Sequence, residues 1–88
     1  MNPTNHVIKR YANRKLYDTG LSQYVTLGQV FAYVANGDKV SVLSNVTGED
    51  VTTPILLNAL VERGKGASNE GVVGDLALIG NYISGGNQ

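Results

Sequence analysis

Basic, aromatic and amide side chains that can bind a polyanion crowd into one short segment near the N-terminus. They are Lys9, Arg10, Tyr11, Asn13, Arg14 and Lys15. Lysine and arginine bind phosphate oxygens, arginine can also pair with guanine through two hydrogen bonds, and asparagine can bond a base edge. Residues 1–19 hold four cations against the single acid Asp18, so this segment carries a charge of +3 although the chain has a formal net charge of zero. The pattern predicts a nucleic-acid interface, with the arginines on bases or phosphates and the lysines on phosphates.

Two other classes of function remain open for the same six residues. A hairpin edge can carry lysine and arginine only to block aggregation, and the domain would then be a protein-interaction or oligomerisation module that does not bind DNA. Closely spaced arginine and tyrosine also suit a receptor for a phosphorylated signalling nucleotide, held by bidentate phosphate pairing and ring stacking. The salt dependence of binding separates these alternatives, because contacts with a nucleic-acid backbone release many counterions.

Three tyrosines accompany the basic segment and admit two roles. Tyr11, Tyr17 and Tyr24 can stack on the bases of a single strand. Tyrosines in strands more often cover a core, however, and we expect Tyr17 and Tyr24 to be half-buried for that purpose. Asp18, which follows Tyr17, is expected to orient Arg14 or to cap a turn rather than to take part in catalysis.

This chain of 88 residues has few side chains suited to catalysis or to binding a cofactor. The chain has no cysteine and one histidine, His6, so thiolate zinc sites, cysteine nucleophiles and a histidine-based metal site lack their ligands. Glu49 and Asp50 are adjacent acids after a glycine, which is typical of a turn. Residues 64–68 contain glycine and lysine but lack the spacing of a phosphate-binding loop. We therefore expect neither an enzyme nor a bound cofactor.

The hydrophobic pattern predicts a small α+β domain in which a basic β-hairpin precedes two or three helices and one further strand. Residues 7–17 alternate as two strands around a turn at residues 12–13. Because successive side chains of a strand point to opposite faces, Lys9 and Tyr11 are expected on one face and Arg10 on the other.

The first helix and the further strand have the clearest local signals. Thr26 and Gln29 have the spacing of a capping box, in which the side chain of each residue accepts a hydrogen bond from the backbone N–H of the other. An apolar face follows from Leu27 to Val34 with the three- and four-residue spacing of a helix. Residues 40–44 alternate as the further strand.

Two more helices are predicted in the second half of the chain. The second is expected to begin with Thr53 as N-cap and Pro54 at the first helical position, where the missing N–H does no harm. Its residues 55–61 are apolar nearly all round, which predicts a buried helix. A third helix is predicted over residues 71–83, although its glycines lower its intrinsic helix propensity.

Residues 7–19 also carry a specific motif. They run as an aliphatic pair, a basic pair, a tyrosine, one variable residue and then Asn-Arg-Lys-Leu-Tyr-Asp-Thr. This order resembles the opening signature of polyhydroxyalkanoate synthesis repressors, also called accumulation regulators. The likeness continues at Ser22, residues 24–27, Val42, residues 47–50 and residues 55–57, and so covers about residues 7–63.

The resemblance implies a role that composition alone does not give. It implies the DNA-binding module of a transcriptional regulator, a repressor of polyhydroxyalkanoate storage genes, with double-stranded DNA as partner. In that family a following region contacts polymer granules and oligomerises, so the polyester granule surface is a further expected partner.

The expected domain organisation follows from these elements. We expect a flexible start at residues 1–6, the DNA-binding domain at 7–63, a linker at 64–70 and an apolar helix at 71–84. The apolar helix can serve in oligomerisation, and because 88 residues supply little core we expect a homodimer or a higher homo-oligomer. No apolar run is long enough for a membrane span, and the polar N-terminus lacks a signal core, so we expect a cytoplasmic protein.

Overall fold

A computed structural model describes residues 5–85 of the chain. Its elements in chain order are β1 (Asn5–Arg10), β2 (Leu16–Asp18), β3 (Gln23–Val25), α1 (Leu27–Ala35), β4 (Lys39–Ser44), α2 (Thr52–Gly64) and α3 (Asn69–Gly85). Three helices and a four-stranded sheet confirm the predicted α+β class. Of the expected flexible start, residues 1–4 lie outside the described part, whereas Asn5 and His6 already belong to β1.

The four strands form one sheet in the order β3-β2-β1-β4. β1 to β3 pair as consecutive antiparallel strands, and α1 then carries the chain across so that β4 joins β1 in parallel. One face of this sheet packs against the helices, and we call it the inner face. The opposite face is called the outer face, and alternate residues of each strand point to it.

The core lies between the inner face and the three helices. Ile8 of β1 and Val42 of β4 are completely buried in it, as are Val30 of α1 and Leu56 of α2. Burial of each such aliphatic side chain contributes about 1.5–3 kcal/mol to folding. Ile8 and Arg10 lie two residues apart on β1. The burial of Ile8 in the core therefore also fixes the position of the basic residues at the end of this strand.

Helix α1 confirms the prediction made from its capping box. The Gln29 backbone N–H donates to Thr26 Oγ1 at 3.1 Å, and the Thr26 backbone N–H donates to Gln29 Oε1 at 2.8 Å. The predicted apolar face is also present, since Val30, Phe31 and Val34 are buried.

The predicted start of α2 is wrong. The helix begins at Thr52 with Val51 as N-cap, so Thr53 is not the cap and Pro54 is the third helical residue. The physical reason is Asp50, whose Oδ1 accepts hydrogen bonds from the Thr52 backbone N–H at 2.9 Å and from the Thr52 hydroxyl at 2.6 Å. The start of the helix is thereby fixed by a residue that precedes it by two positions.

Helices α2 and α3 bury one side each and leave the other side exposed. The expectation that α2 is buried all round is wrong, because Leu57 and Val61 are 45% and 65% exposed. On α3, Ile79 is buried, and the Tyr82 hydroxyl bonds both the N–H and the C=O of Val40 at 2.9 Å. Within residues 5–85, the helices are too short or too polar to cross a membrane.

A buried polar cluster joins the start of β1 to two other parts of the chain. The ring of His6 has Nδ1 2.7 Å from Asp18 Oδ2 and Nε2 3.1 Å from Asp38 Oδ2, and it stacks on Tyr33 with centroids 3.6 Å apart. Asp18 also accepts hydrogen bonds from the backbone N–H groups of Gly20 and Leu21. Asp18 therefore caps a turn, as one of the two expectations had it, and it lies against His6 rather than Arg14.

The electrostatics of Asp18 reflect this packing. Burial alone would raise the pKa of the carboxyl, but the hydrogen bonds from His6 and from the Leu21 and Gly20 backbone outweigh it and hold the pKa below its usual value. Asp18 is completely buried. The only acid of the basic segment is therefore turned into the protein and is used for folding.

Candidate nucleic-acid interface

The predicted turn at residues 12–13 is confirmed, and its geometry is a three-residue hairpin loop. The Arg14 N–H donates to the Tyr11 carbonyl and the Tyr11 N–H donates to the Lys15 carbonyl, both at 2.9 Å. In this loop type the third residue adopts a left-handed conformation that glycine usually supplies. Here Arg14 adopts it, with φ of 68°, at a backbone cost of about 1–2 kcal/mol.

Asn13 stabilises the same loop. Its side-chain oxygen accepts a hydrogen bond from the Lys15 backbone N–H at 3.1 Å. The oxygen is thus engaged in the turn, and the amide NH2 is the part of Asn13 that can donate to a nucleic acid.

The structure divides the predicted site residues between the two sides of the hairpin. Lys9 pairs with Tyr17 across the strands at an outward-facing position, and the Tyr11 ring lies 6.5 Å from that of Tyr24. Lys15 belongs to this outer side as well, because its Nζ lies 5.4 Å from the centroid of the Tyr24 ring.

Arg10 belongs to the inner side, and Arg14, at the tip of the hairpin, adjoins both sides because it also lines a recess with Lys15 and Tyr24. The two arginines line a cleft between the hairpin and α2, together with Asn58 and Glu62. The six residues therefore surround the end of the hairpin instead of sharing one surface.

The four cations of the hairpin are not neutralised by the protein in the part of the chain that the structure describes. The ion pairs found there are those of His6 with its two aspartates, Arg63 with Asp75 at 2.9 Å, and Lys65 with Glu62 at 3.2 Å. The cations of α2 and its C-cap are thus paired, while those of the hairpin have no ion pair within residues 5–85. Unpaired like charges in a short segment raise the local potential and attract polyanions.

The expectation that Tyr17 and Tyr24 cover the core is wrong for both residues, and the expected half-burial holds only for Tyr17. Tyr17 is half-buried, but Tyr24 is 60% exposed, and both lie on the outer face, away from the core. Leu16 and Val25 occupy the inward positions next to them. Strand alternation could have placed each tyrosine opposite its apolar neighbour, but the sequence did not show that the outer face is open.

The fold and these side chains define a small two-layer α+β domain with a basic ribbon at one end of its sheet. The family described as the PHB/PHA accumulation regulator DNA-binding domain matches residues 7–67, and the protein belongs to this family. The resemblance seen in the sequence is thereby confirmed. Family membership indicates a DNA-binding regulator.

Two curated relatives are similar to most of this chain. The chain is 35% identical over 82 residues to an uncharacterised protein of Allochromatium vinosum, and 33% identical over 82 residues to an uncharacterised protein in the phbA 5′ region of Thiocystis violacea. Each alignment covers 93% of this chain but only 54% and 59% of the relatives, respectively, so the chain spans little more than half of their length. No solved structure matches the chain.

Proposed function

We propose that the end of the hairpin binds double-stranded DNA and that the protein represses polyhydroxyalkanoate storage genes. The observation that carries this proposal is the set of unneutralised cations on both sides of the hairpin. The site consists of Lys9, Arg10, Tyr11, Asn13, Arg14 and Lys15.

The division of these residues between two sides suits insertion into a groove. A two-stranded ribbon fits the major groove of B-DNA, which is about 12 Å wide and is walled by a phosphate backbone on each side. Lys9 and Lys15 would meet one wall, and Arg10 and Arg14 the other wall or guanine edges below it. Asn13, at the tip, would donate from its amide to a base edge.

The gene target rests on the family and on one relative. The family is that of PHB/PHA accumulation regulators, and the Thiocystis violacea relative is described by its position in the phbA 5′ region. A repressor of storage genes would act where bacterial DNA lies, in the cytoplasm. Contact with polyester granules is proposed from the family resemblance.

We also propose a homodimer or higher oligomer. Leu57 and Val61 of α2 and Val73 and Leu76 of α3 are each at least 45% exposed, which is much apolar surface for so small a domain. Analytical ultracentrifugation at micromolar concentration should show a dimer that Leu76→Lys weakens. A monomer of the wild type in that experiment contradicts the proposal.

A gel shift tests the DNA proposal. The probe is a duplex from the promoter of storage genes, with an unrelated duplex of equal length as competitor. The double variant Arg10→Ala with Arg14→Ala should bind the promoter at least about 30-fold more weakly, because each lost base or phosphate contact costs about 1 kcal/mol or more.

The matched control is Lys39→Ala, which removes a cation that also lacks an ion pair within residues 5–85 but lies at the end of the sheet away from the hairpin loop. It should leave DNA affinity unchanged. Equal affinity of the double arginine variant and the wild type contradicts the site assignment, and equal affinity of the wild type for both duplexes contradicts a promoter-specific repressor.

A further inference from the structure

The outer face of the sheet carries a continuous row of side chains that the duplex interface does not explain. The strand register sets Leu43, Lys9, Tyr17 and Tyr24 side by side, one from each of the four strands. The helices lie on the other face, and within residues 5–85 no helix covers this row. A row of this kind offers a flat surface about four strands wide.

Three tyrosines of this face form one cluster. The rings of Tyr17 and Tyr24 meet edge to face with centroids 5.2 Å apart, and Tyr11 is tilted toward Tyr24 at 6.5 Å. Tyr24 is 60% exposed although it belongs to the sheet. A solvated sheet face ordinarily carries small polar or charged residues, so a clustered and exposed ring indicates a contact surface.

The charges on this face have one sign. Lys9 and Lys39 occupy outward strand positions and Lys15 lies over the Tyr24 ring, whereas the inward Asp18 is buried. Asp50 lies beyond β4, at the edge of the sheet opposite Tyr24. The tyrosine cluster is therefore flanked by lysines, with Asp18 buried on the inner face and Asp50 separated from the cluster by the width of the sheet.

We propose that the outer face binds unpaired nucleotides of a single-stranded nucleic acid. A base stacks on Tyr24, supported by Tyr17 and Tyr11, and the adjoining phosphates pair with Lys9 and Lys15. Aromatic rings bordered by lysines match a ligand that alternates flat rings with anions. The proposal rests in part on the DNA-binding function, because the two lysines would serve both kinds of contact.

Two other occupants fit the face less well. In a duplex both faces of each base are covered by neighbouring base pairs, so a tyrosine ring on a sheet gains a stacking partner only from an unpaired base. A second copy of this face would bring lysines against lysines, which opposes a symmetric dimer through it.

Fluorescence anisotropy of labelled oligonucleotides tests the proposal. The probes are an oligothymidylate and an oligouridylate of about twelve nucleotides, within the usual span of a single-strand site, and the promoter duplex in parallel. Tyr24→Ala should bind the single strands roughly ten- to a hundred-fold more weakly, the loss expected for one stacked base, and should bind the duplex as the wild type does.

Three controls separate stacking from folding. Tyr24→Phe keeps the ring and should keep single-strand affinity, and Leu21→Ala, which removes an exposed apolar side chain from the turn between β2 and β3, should change nothing. The chain has no tryptophan, so quenching of tyrosine emission by the oligonucleotide reports stacking directly and should weaken in Tyr24→Ala.

The outcomes distinguish this proposal from the duplex function. If the wild type binds the duplex but not the single strands, or if Tyr24→Ala binds single strands as tightly as the wild type, the stacking proposal is wrong and the duplex function stands. If the wild type binds single strands but not the duplex, the stacking proposal stands alone. Binding of neither probe overturns both.

Discussion

The polar side chains at the two ends of strand β1 have opposite surroundings. At its start, the ring of His6 is buried between the carboxylates of Asp18 and Asp38. At its end, Lys9 and Arg10 form no ion pair within the described part of the chain. One end of the strand is thus held by a buried polar cluster and the other end carries cations without an ion pair within residues 5–85, a contrast that net charge alone would not reveal.

The largest expected effect is at the buried end. His6→Leu removes the His6 hydrogen bond from the buried Asp18 carboxylate and should lower the free energy of unfolding by about 3 kcal/mol. For a domain of this size the melting temperature should fall by more than about 10 °C, measured by circular dichroism.

A double variant separates the effect of the unpaired charge from the effect of placing a leucine side chain at position 6. Adding Asp18→Asn to His6→Leu removes the unpaired charge and should recover part of the lost stability, a coupling that a double-mutant cycle measures. If the two losses simply add, the charge pairing is not what stabilises this end of β1.

Low pH should reduce the stability that the polar cluster at the start of β1 contributes. The pKa of Asp18 is lower in the folded protein than its ordinary value of 3.8, so its ionised form favours folding. That contribution is fully present above the ordinary pKa and is lost as the pH falls through the lower, folded value. Urea unfolding between about pH 5 and pH 2 should show the loss, and Asp18→Asn should show less of it.

An exposed acid provides a milder comparison. Asp50→Ala removes the acceptor that fixes the start of α2 and should lower the free energy of unfolding by about 1 kcal/mol. Asp50→Asn keeps an oxygen acceptor and should cost less in the same urea unfolding experiment. If Asp50→Ala lost as much stability as His6→Leu, burial would not explain the difference expected between Asp18 and Asp50.

The smallest expected change in stability lies at the hairpin and has the opposite sign. Arg14→Gly relieves a left-handed backbone and should raise the free energy of unfolding by about 0.5–1 kcal/mol while it weakens DNA binding. Arg14→Ala removes the same charge without that relief, so it should weaken DNA binding without added stability. Unchanged DNA affinity in Arg14→Gly would show that the strained arginine is not kept for binding.

Local signals predicted much of this fold. Thr26 and Gln29 fix the start of α1 through bonds within four residues, and the alternation around the residue 12–13 turn fixes the hairpin. The start of α2 was missed because Asp50, Thr52 and Thr53 are all good capping residues. A tertiary bond from the Val42 N–H to the Thr52 hydroxyl, at 2.8 Å, helps to fix the helix start there.

The site was predicted less completely, because its arrangement depends on distant residues. His6 was expected in a flexible start, but its partners Asp18 and Asp38 lie 12 and 32 positions away. Likewise, the exposure of Tyr24 depends on which face the helices cover, which no local pattern records. The residue types of the site were visible in the sequence, whereas their division between the two sides of the hairpin required the structure.

The salt dependence of duplex affinity tests most directly whether the unpaired hairpin cations bind phosphates. The logarithm of the association constant should fall against the logarithm of salt concentration with a slope of about −3.6 per chain, or about −7 for a dimer. Arg10→Ala with Arg14→Ala should reduce that slope by up to about two units per chain. A wild-type slope near zero, or one that the double variant leaves unchanged, would contradict the account.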